Sequence, residues 1–555
     1  MNSRQHDASR REFLKRVGQA GIATAGAAIL KDGMMGARAQ AQSASGRPNV
    51  LMIVVDEERD WNWLPKGFDF AGNFPGRQWL RNNGIRFTNY YTTTAPCSPS
   101  RSVMYTGQHT DYTGIFDNVI VGWQEDMKPN IPTIGGLLRT QGYQTAYRGK
   151  WHLQAYPTDL VRYGFDDWVA GDYDDIKGME GFEQDEAIAS TAADYIQGQA
   201  ESTTPWFLAV NLINPHDVAA FPTYYDMNCI QASIESLAGY QQFITSGQVP
   251  SNYNDSLSNK PGAHNYWRIF YNNFKGSVSY SDVNAWARLL SHYVYFMKEV
   301  DKHIVTVLDA LAASGQLDNT VIILTSDHGE LGGAHGLRAK GPTAYREQYN
   351  VPLVVVDPRL PHDGVTYRHR GVETKAFASA LDLTPLIMRL AVPELQPSGY
   401  DLYGADLYGK VVTTNDPSKA TEKAARDSIL ITYDARQGAP KSGSSSPFQY
   451  GQGFIRAIIG YDYRGNLVKF ARYAEPGHVN DALSTMQWEL YDYTADGNTS
   501  ELTNRLTSWY PPSPYRKVRD DMNTKLNNLI AKEMRNSNAA GLLPAPGTTP
   551  SVGCQ

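Results

Sequence analysis

The sequence predicts an α/β protein built on a largely parallel sheet, with a smaller α+β part towards the C-terminus. Three observations carry this expectation. Short, continuous apolar runs recur at residues 50–55, 206–213 and 320–325, the pattern of strands buried on both faces. Segments with helical spacing lie between them, the longest at residues 285–314. Each apolar run ends abruptly in acidic or imidazole-bearing residues. In open α/β sheets, sites gather at the carboxyl ends of strands.

The first strand, residues 49–55, runs straight into Asp56-Glu57-Glu58. Two carboxylates at a strand end suit a divalent cation; the plainer alternative is a solvated strand end. Residues 134–141 read as a helix and 143–147 as a strand. Residues 206–213 form a buried strand leading to Asn214-Pro215-His216-Asp217. The long helix repeats Leu290, Tyr293, Val294, Met297, Val300, Ile304, Val307, Leu308 and Leu311 on one face, and Gly315 is placed to end it. The strand at 320–325 then delivers Ser326-Asp327-His328-Gly329-Glu330. Composition changes after about residue 407: residues 410–450 are polar and rich in Gly and Ser, with 442–446 as a flexible loop. Strands at 454–459 and 466–473 flank a turn at Arg464-Gly465; a third strand at 488–492 and a helix around 516–534 complete a small α+β subdomain.

The chain of 555 residues is long enough for a large core and a subdomain. Its start reads as an address. Ser9-Arg10-Arg11-Glu12-Phe13-Leu14-Lys15 has the form of a twin-arginine signal, followed by an Ala/Gly-rich apolar stretch and an A-x-A site at 37–39 or 39–41. The expected organisation is a signal peptide at 1–39, a catalytic domain at 48–410, a C-terminal subdomain at 411–540 and a disordered tail at 541–555. The expected partner in transport is the twin-arginine export machinery, and the expected location is bacterial periplasm or secretion. Residues 1–39 hold seven of the 51 Lys/Arg and three of the 57 Asp/Glu, so their removal takes the formal charge from −6 to −10. Such a balance argues against nucleic-acid partners. The mature region has no long apolar run for stable membrane insertion. Three cysteines, Cys97, Cys229 and Cys554, make no disulfide framework. A Cys229–Cys554 bridge has no support in the sequence.

Five stretches carry chemistry. Cys97-Ser98-Pro99-Ser100-Arg101 is followed by Thr106-Gly107. Gly142-Tyr143-Gln144-Thr145-Ala146-Tyr147-Arg148-Gly149-Lys150-Trp151-His152-Leu153 contains Lys150 and His152 two apart, on one side of an extended backbone, where they can face an anion together. Asp56-Glu57 and Asp327-His328 sit at two strand ends. His216 follows a third strand. Lys340 follows a Gly-rich loop and precedes Tyr345-Arg346-Glu347 and Val351-Pro352-Leu353. In this order the stretches resemble the formylglycine-dependent sulfatases of the alkaline phosphatase superfamily. The resemblance runs from about residue 49 to 358, with an echo at Glu489-Leu490-Tyr491-Asp492. Tyr105 stands where that family has Leu or Met, and Glu57 where it often has Asp.

The resemblance implies an alkaline-phosphatase-like α/β/α sandwich and hydrolysis of sulfate monoesters to alcohol and sulfate. Cys97 would be oxidised to formylglycine by a maturation enzyme. Its hydrate would attack sulfur with one hydroxyl, while the metal, Lys150, Arg101 and Lys340 offset charge on the sulfuryl oxygens. His216 would protonate the leaving alcohol, and His152 would help remove the second hydroxyl's proton, expelling sulfate. Asp56, Glu57, Asp327 and His328 would hold one divalent metal. The resemblance implies Ca2+; the nitrogen of His328 keeps Mn2+ open, with Mg2+ a further alternative. The substrate is expected to be a sulfated small molecule or glycan. Trp61 and Trp63 read as core aromatics, or as stacking platforms for such a ring. Two alternatives stay open. Glu57, Asn118 and Asp327-His328 also fit a phosphonate or phosphate ester hydrolase of the same superfamily. A secreted sulfated-glycan-binding protein with unconverted Cys97 is the non-enzymatic reading.

Overall fold

Strands β1 (Asn49–Asp56), β2 (Ile85–Tyr91), β3 (Gln144–Gly149), β4 (Asp167–Ala170) and β5 (Trp206–Pro215) enter the main sheet before a separate two-stranded ribbon, β6 (Tyr224–Tyr225) and β7 (Gln231–Ala232). The main sheet is completed by β8 (Thr320–Ser326), β9 (Leu353–Val356) and β10 (Val372–Ser379), in the order β10-β2-β9-β8-β1-β5-β3-β4. Strand β9 runs antiparallel to both its neighbours, and the other pairings are parallel. This is a computed structural model that describes residues 46–121, 123–170, 178–226, 228–360, 369–395, 403–435, 453–474, 486–506 and 514–534. The twin-arginine segment, the 442–446 loop and the tail from 541 lie outside the described residues.

The continuous apolar run of β1 is explained by its place in the middle of that sheet. Val50, Met52 and Val54 enter one core, and Leu51, Ile53 and Val55 enter the other. Fully burying such a side chain contributes about 1.5–3 kcal/mol, so both faces must be covered. The helices that matter here are α1 (Pro75–Asn83), α2 (Cys97–Thr106), α3 (Ile134–Thr140), α4 (Glu180–Gly198), α5 (Gly262–Lys275), α6 (Val283–Ala313), α7 (Leu383–Ala391) and α8 (Tyr515–Glu533). Helices α2, α3 and α7 cover the first face; α4 and α6 cover the second. Helix α6 matches the expected long helix. Asp282 caps its start by accepting the Asn284 and Ala285 amides at 3.1 and 3.0 Å. Gly315, at φ 75°, follows its end. Arg77 of α1 ties this helix to the exit of β1, donating to Glu58 at 2.8 Å and to Asp301 at 2.7 Å.

The C-terminal sheet consists of β11 (Ser428–Tyr433), β12 (Phe454–Tyr461), β13 (Leu467–Ala474) and β14 (Gln487–Asp492), all antiparallel. Its strands alternate. Leu430, Ile458, Val468 and Phe470 pack on α8, whereas Ile429, Ile431, Ala457 and Ala471 share a core with Tyr91 and Phe377 of the main sheet. The three expected strands, the turn at Gly465 and the expected helix are present; β11 lies inside a stretch whose composition is polar, which gives it no strand pattern. Cys97 is buried and in no disulfide; Cys554 lies outside the described residues.

Candidate active site

Register brings the chemistry together. Val55 of β1 pairs with Ser326 of β8, so Asp56 and Asp327 leave adjacent parallel strands side by side. On the other flank β5 ends at Pro215, directly before His216, and β3 ends at Gly149, directly before Lys150. Gly149 has φ 93°, and a Cβ there would sit 2.0 Å from the Asn211 carbonyl oxygen, which instead accepts the Lys150 amide at 3.0 Å. No other residue type lets the chain pass β5 so closely and deliver Lys150 to the site.

Helix α2 presents Cys97 as its first residue. Asn118 fixes this end by accepting the Ser98 amide at 3.1 Å, and the Ser98 hydroxyl accepts the Val119 amide at 3.2 Å. The Ser100 hydroxyl donates to the backbone carbonyl of Asp327. Arg101 is fully buried and donates through Nε to Asp327 Oδ2 at 2.8 Å, through Nη2 to Asp56 Oδ2 at 3.2 Å and through Nη1 to the Lys150 carbonyl at 2.7 Å. It therefore braces both carboxylates and the turn that carries Lys150. Burial lowers its pKa, but Asp327 and Asp56 more than offset that and hold it well above the ordinary value.

Two adjoining groups emerge. In the first, ligand atoms of Asp56, Cys97, Asp327 and His328 all lie within 4.8 Å of one another. His328 Nδ1 lies 3.0 Å from the Gly329 carbonyl and must donate to it, which leaves Nε2 as a lone pair 3.1 Å from Cys97 Sγ and 3.7 Å from Asp56 Oδ1. In the second, Glu57 joins Asp56 and His216. Glu57 Oε2 accepts from Lys340 Nζ at 2.6 Å and lies 3.8 Å from His216 Nε2. Three of the four expected metal ligands thus converge with Cys97, and Glu57 faces Lys340 and His216. Its backbone is left-handed at φ 70°, and Tyr293 pins it by donating to its carbonyl at 2.6 Å.

Electrostatics keep Asp56 and Lys340 charged, whereas burial, opposed by Lys340 and reinforced by Glu330, raises the Glu57 pKa well above the ordinary value. Burial would raise the Asp56 pKa; Lys150 at 2.8 Å, followed by His216 and Arg101, outweighs it and holds the carboxyl well below the usual range. Burial likewise opposes the charge on Lys340, yet Cys97, Glu57 and Asp56 raise its pKa well above the ordinary one. Asp56 Oδ1 is buried and, among the described residues, accepts no hydrogen bond. An ionised orphan oxygen beside an imidazole lone pair is the surrounding a divalent cation requires, so this donor set fits one.

The Gly-Lys-Trp-His stretch divides its labour. Trp151 anchors a buried aromatic cluster with Tyr105, Tyr147 and Phe165, at 5.4, 5.2 and 5.9 Å between ring centroids. His152 follows in left-handed backbone, at φ 55°, and is buried. Tyr105, the departure within the first motif, also donates to Asn211 Oδ1 at 2.7 Å, the atom that Arg101 Nη1 reaches at 3.3 Å. Trp61 and Trp63 are engaged elsewhere: Trp61 donates to Glu58 at 2.5 Å, and Trp63 lies under Arg59 at 4.1 Å and against Tyr293. The contacts of Asn211 with Arg101 and Tyr105, and of the Tyr293 hydroxyl with Glu57, had no signal in the sequence, because they join distant segments.

Residues 48–392 match the family model described as Sulfatase. An "Ulvan-active sulfatase" of Formosa agariphila is 24% identical over 503 residues, covering 85% of this chain and 84% of its own length. The structure of BT4656 in complex with its substrate D-glucosamine-2-N,6-O-disulfate superimposes with a TM-score of 0.60 at 19% identity, over 88% of this chain and 99% of that one. A phosphonate monoester hydrolase from Silicibacter pomeroyi also superimposes with a TM-score of 0.60, at 18% identity, over 88% of this chain and 96% of that one.

Proposed function

This chain belongs to the sulfatase family and is a sulfuric ester hydrolase, and we propose that it cleaves sulfate monoesters through a formylglycine made from Cys97 and one divalent cation. The observation that carries this reading is the convergence of Cys97 Sγ with Asp56, Asp327 and His328 within 4.8 Å. When present, the formylglycine supplies a geminal-diol nucleophile and the cation supplies Lewis-acid neutralisation of sulfuryl oxygens. Asp56, Asp327 and His328 would hold the cation, with Glu57 as a fourth and weaker ligand. Ca2+ is proposed, with Mn2+ and Mg2+ as alternatives. Lys150 and Lys340 bring positive charge to the sulfate, and Arg101 keeps the carboxylates oriented.

His216 lies beside Glu57, on the side of the site that Lys340 also faces. In this reading it donates the proton that the departing alcohol needs, and His152 accepts one from the side chain at position 97 as sulfate leaves. General-acid help is worth about 10²–10⁴-fold, so His216→Ala should lose that much on alkyl or sugar sulfates. The loss should shrink on nitrophenyl sulfate, whose leaving group needs little protonation. Equal losses on both substrates, with folding intact, would remove His216 from this role.

The sulfated alcohol is proposed to be a small molecule or a glycan, in keeping with the disulfated sugar bound to BT4656. A second reading, phosphonate ester hydrolysis, is favoured by the Silicibacter pomeroyi neighbour and by Glu57, Asn118 and Asp327-His328. Parallel kcat/KM measurements on nitrophenyl sulfate and a nitrophenyl phosphonate separate the two. The sulfate should be preferred; a preference for the phosphonate would reverse the assignment. Maturation by a formylglycine-generating enzyme and export by the twin-arginine machinery, to periplasm or beyond, belong to the same proposal. Arg10-Arg11 supports the export, and among the described residues no helix is long and apolar enough to cross a membrane. The division into a catalytic domain at 48–410 and a C-terminal subdomain at 411–540 is proposed alongside it.

A further inference from the structure

The loop that carries Lys340 has neither helix nor strand around that residue, so its backbone groups need other partners. Side chains supply them at three positions. The Ala339 amide donates to Glu330 Oε1 at 2.6 Å. The Gly341 amide donates to Gln348 Oε1, and the Gly341 carbonyl accepts from Gln348 Nε2, both at 3.0 Å. The Ala344 amide donates to the Tyr473 hydroxyl at 3.1 Å, and the Ala344 carbonyl accepts from Lys469 Nζ at 2.6 Å. The first two clamps come from within the loop and the short helix after it. The third comes from β13, in the C-terminal sheet.

That third clamp is itself held. The Tyr473 hydroxyl has one proton and two lone pairs. The proton goes to Glu489 Oε1 at 2.8 Å, and one lone pair accepts the Ala344 amide. The other then accepts from His264 Nε2 at 2.9 Å, and His264 Nδ1 accepts from Tyr345 at 2.9 Å. Every proton is accounted for with a neutral His264, and burial, aided by Lys260, pushes its pKa well below the ordinary value. Lys469 is balanced by Glu501 at 2.7 Å and Glu489 at 3.9 Å. A buried charged network is a costly way to join two sheets, since apolar packing would serve stability as well. What apolar packing cannot do is fix a donor and an acceptor on one loop residue. The loop also holds His335 and Ala339 in left-handed backbone, at φ 56° and 57°, conformations that persist only where surroundings over-determine them.

We infer that Tyr473 and Lys469 are positioning residues for Lys340: through Ala344 they set where its ammonium stands. This gives the Glu489-Leu490-Tyr491-Asp492 stretch a task, since Glu489 orients Tyr473. The inference rests on the reading that Lys340 binds the ester. A double-mutant cycle on the full chain, with nitrophenyl sulfate as substrate, tests it. Lys340→Ala alone should lower kcat/KM. Tyr473→Phe should lower it about 10- to 100-fold, the scale of a displaced binding group, with the same division between kcat and KM as Lys340→Ala. In the Lys340→Ala background, Tyr473→Phe should change it less than about twofold. If Lys340→Ala has no effect, the reading of Lys340 fails, and the inference with it. If Lys340→Ala is impaired and Tyr473→Phe costs the same factor in both backgrounds, or nothing in either, the positioning role alone is overturned. Should Tyr473→Phe not accumulate as folded protein, Lys469→Arg takes its place. It keeps the charge beside Glu501 but cannot reproduce the contact to Ala344, and the same outcomes decide.

Discussion

Cys97→Ala should leave no sulfate-ester hydrolysis above background, a loss of more than about 10⁴-fold, because it removes the proposed nucleophile while leaving the charged cradle in place. Alanine fits where the thiol stood, and Arg101, Asp56 and Asp327 keep their mutual contacts, so the fold should survive. The companion measurement is the mass of the tryptic peptide spanning residues 87–101 from active protein. Conversion exchanges SH and H for an aldehyde oxygen and lowers the mass by about 18 Da. Cys97 is fully buried at the start of α2, so a converting enzyme must reach it before the chain closes over it. Activity in a preparation whose peptide shows only unmodified cysteine would sink the mechanism.

The elements that hold this site were legible because they are the most deeply buried. Strands β1, β5 and β8 lie in the middle of the sheet, with both faces covered, so their sequences are continuous apolar runs that stop at the catalytic ends. The outer strands are different. Ile-Arg-Phe-Thr-Asn-Tyr-Tyr in β2 mixes core and polar positions, because Arg86 reaches out to Asp60 at 2.8 Å and Thr88 to the Thr374 carbonyl at 3.1 Å. Helix α4 was equally silent: its acidic residues include Asp185, which is buried and accepts the Ile213 and Asn214 amides at the end of β5. Within the site, sequence order gives residue types but not which carboxylate meets which cation. The Glu57–Lys340 contact joins residues 283 apart, and no local pattern announces it. Arg101 carries the same lesson. Its motif suggested a residue facing the substrate, and its guanidinium is engaged by two carboxylates and a carbonyl.

Asp327→Asn should strip the protein of its divalent metal and lower kcat/KM by about 10³-fold or more, the scale of several kcal/mol of lost charge neutralisation. Asp327 accepts the Glu57 and His328 amides through Oδ1, at 3.2 and 2.9 Å, and Arg101 Nε through Oδ2. Alanine would abandon all three contacts and leave Arg101 with one carboxylate fewer in a dry interior, where breaking such a pair costs about 3–5 kcal/mol. Asparagine keeps the size and, with its oxygen on the two backbone amides, gives up only the Arg101 Nε contact, so the change falls chiefly on charge. One negative charge fewer beside Asp56 should weaken a hard cation more than it disturbs packing. Element-resolved mass spectrometry of purified wild type, Asp327→Asn and Asp56→Asn, with thermal unfolding alongside, gives the answer. Wild type should carry one metal per chain and each variant far less, with the activity loss following the metal. A full equivalent of metal retained in both variants would show that these carboxylates do not hold it. The orphaned Asp56 Oδ1 would then need another partner, and Glu57 with His216 would be the next pair to test.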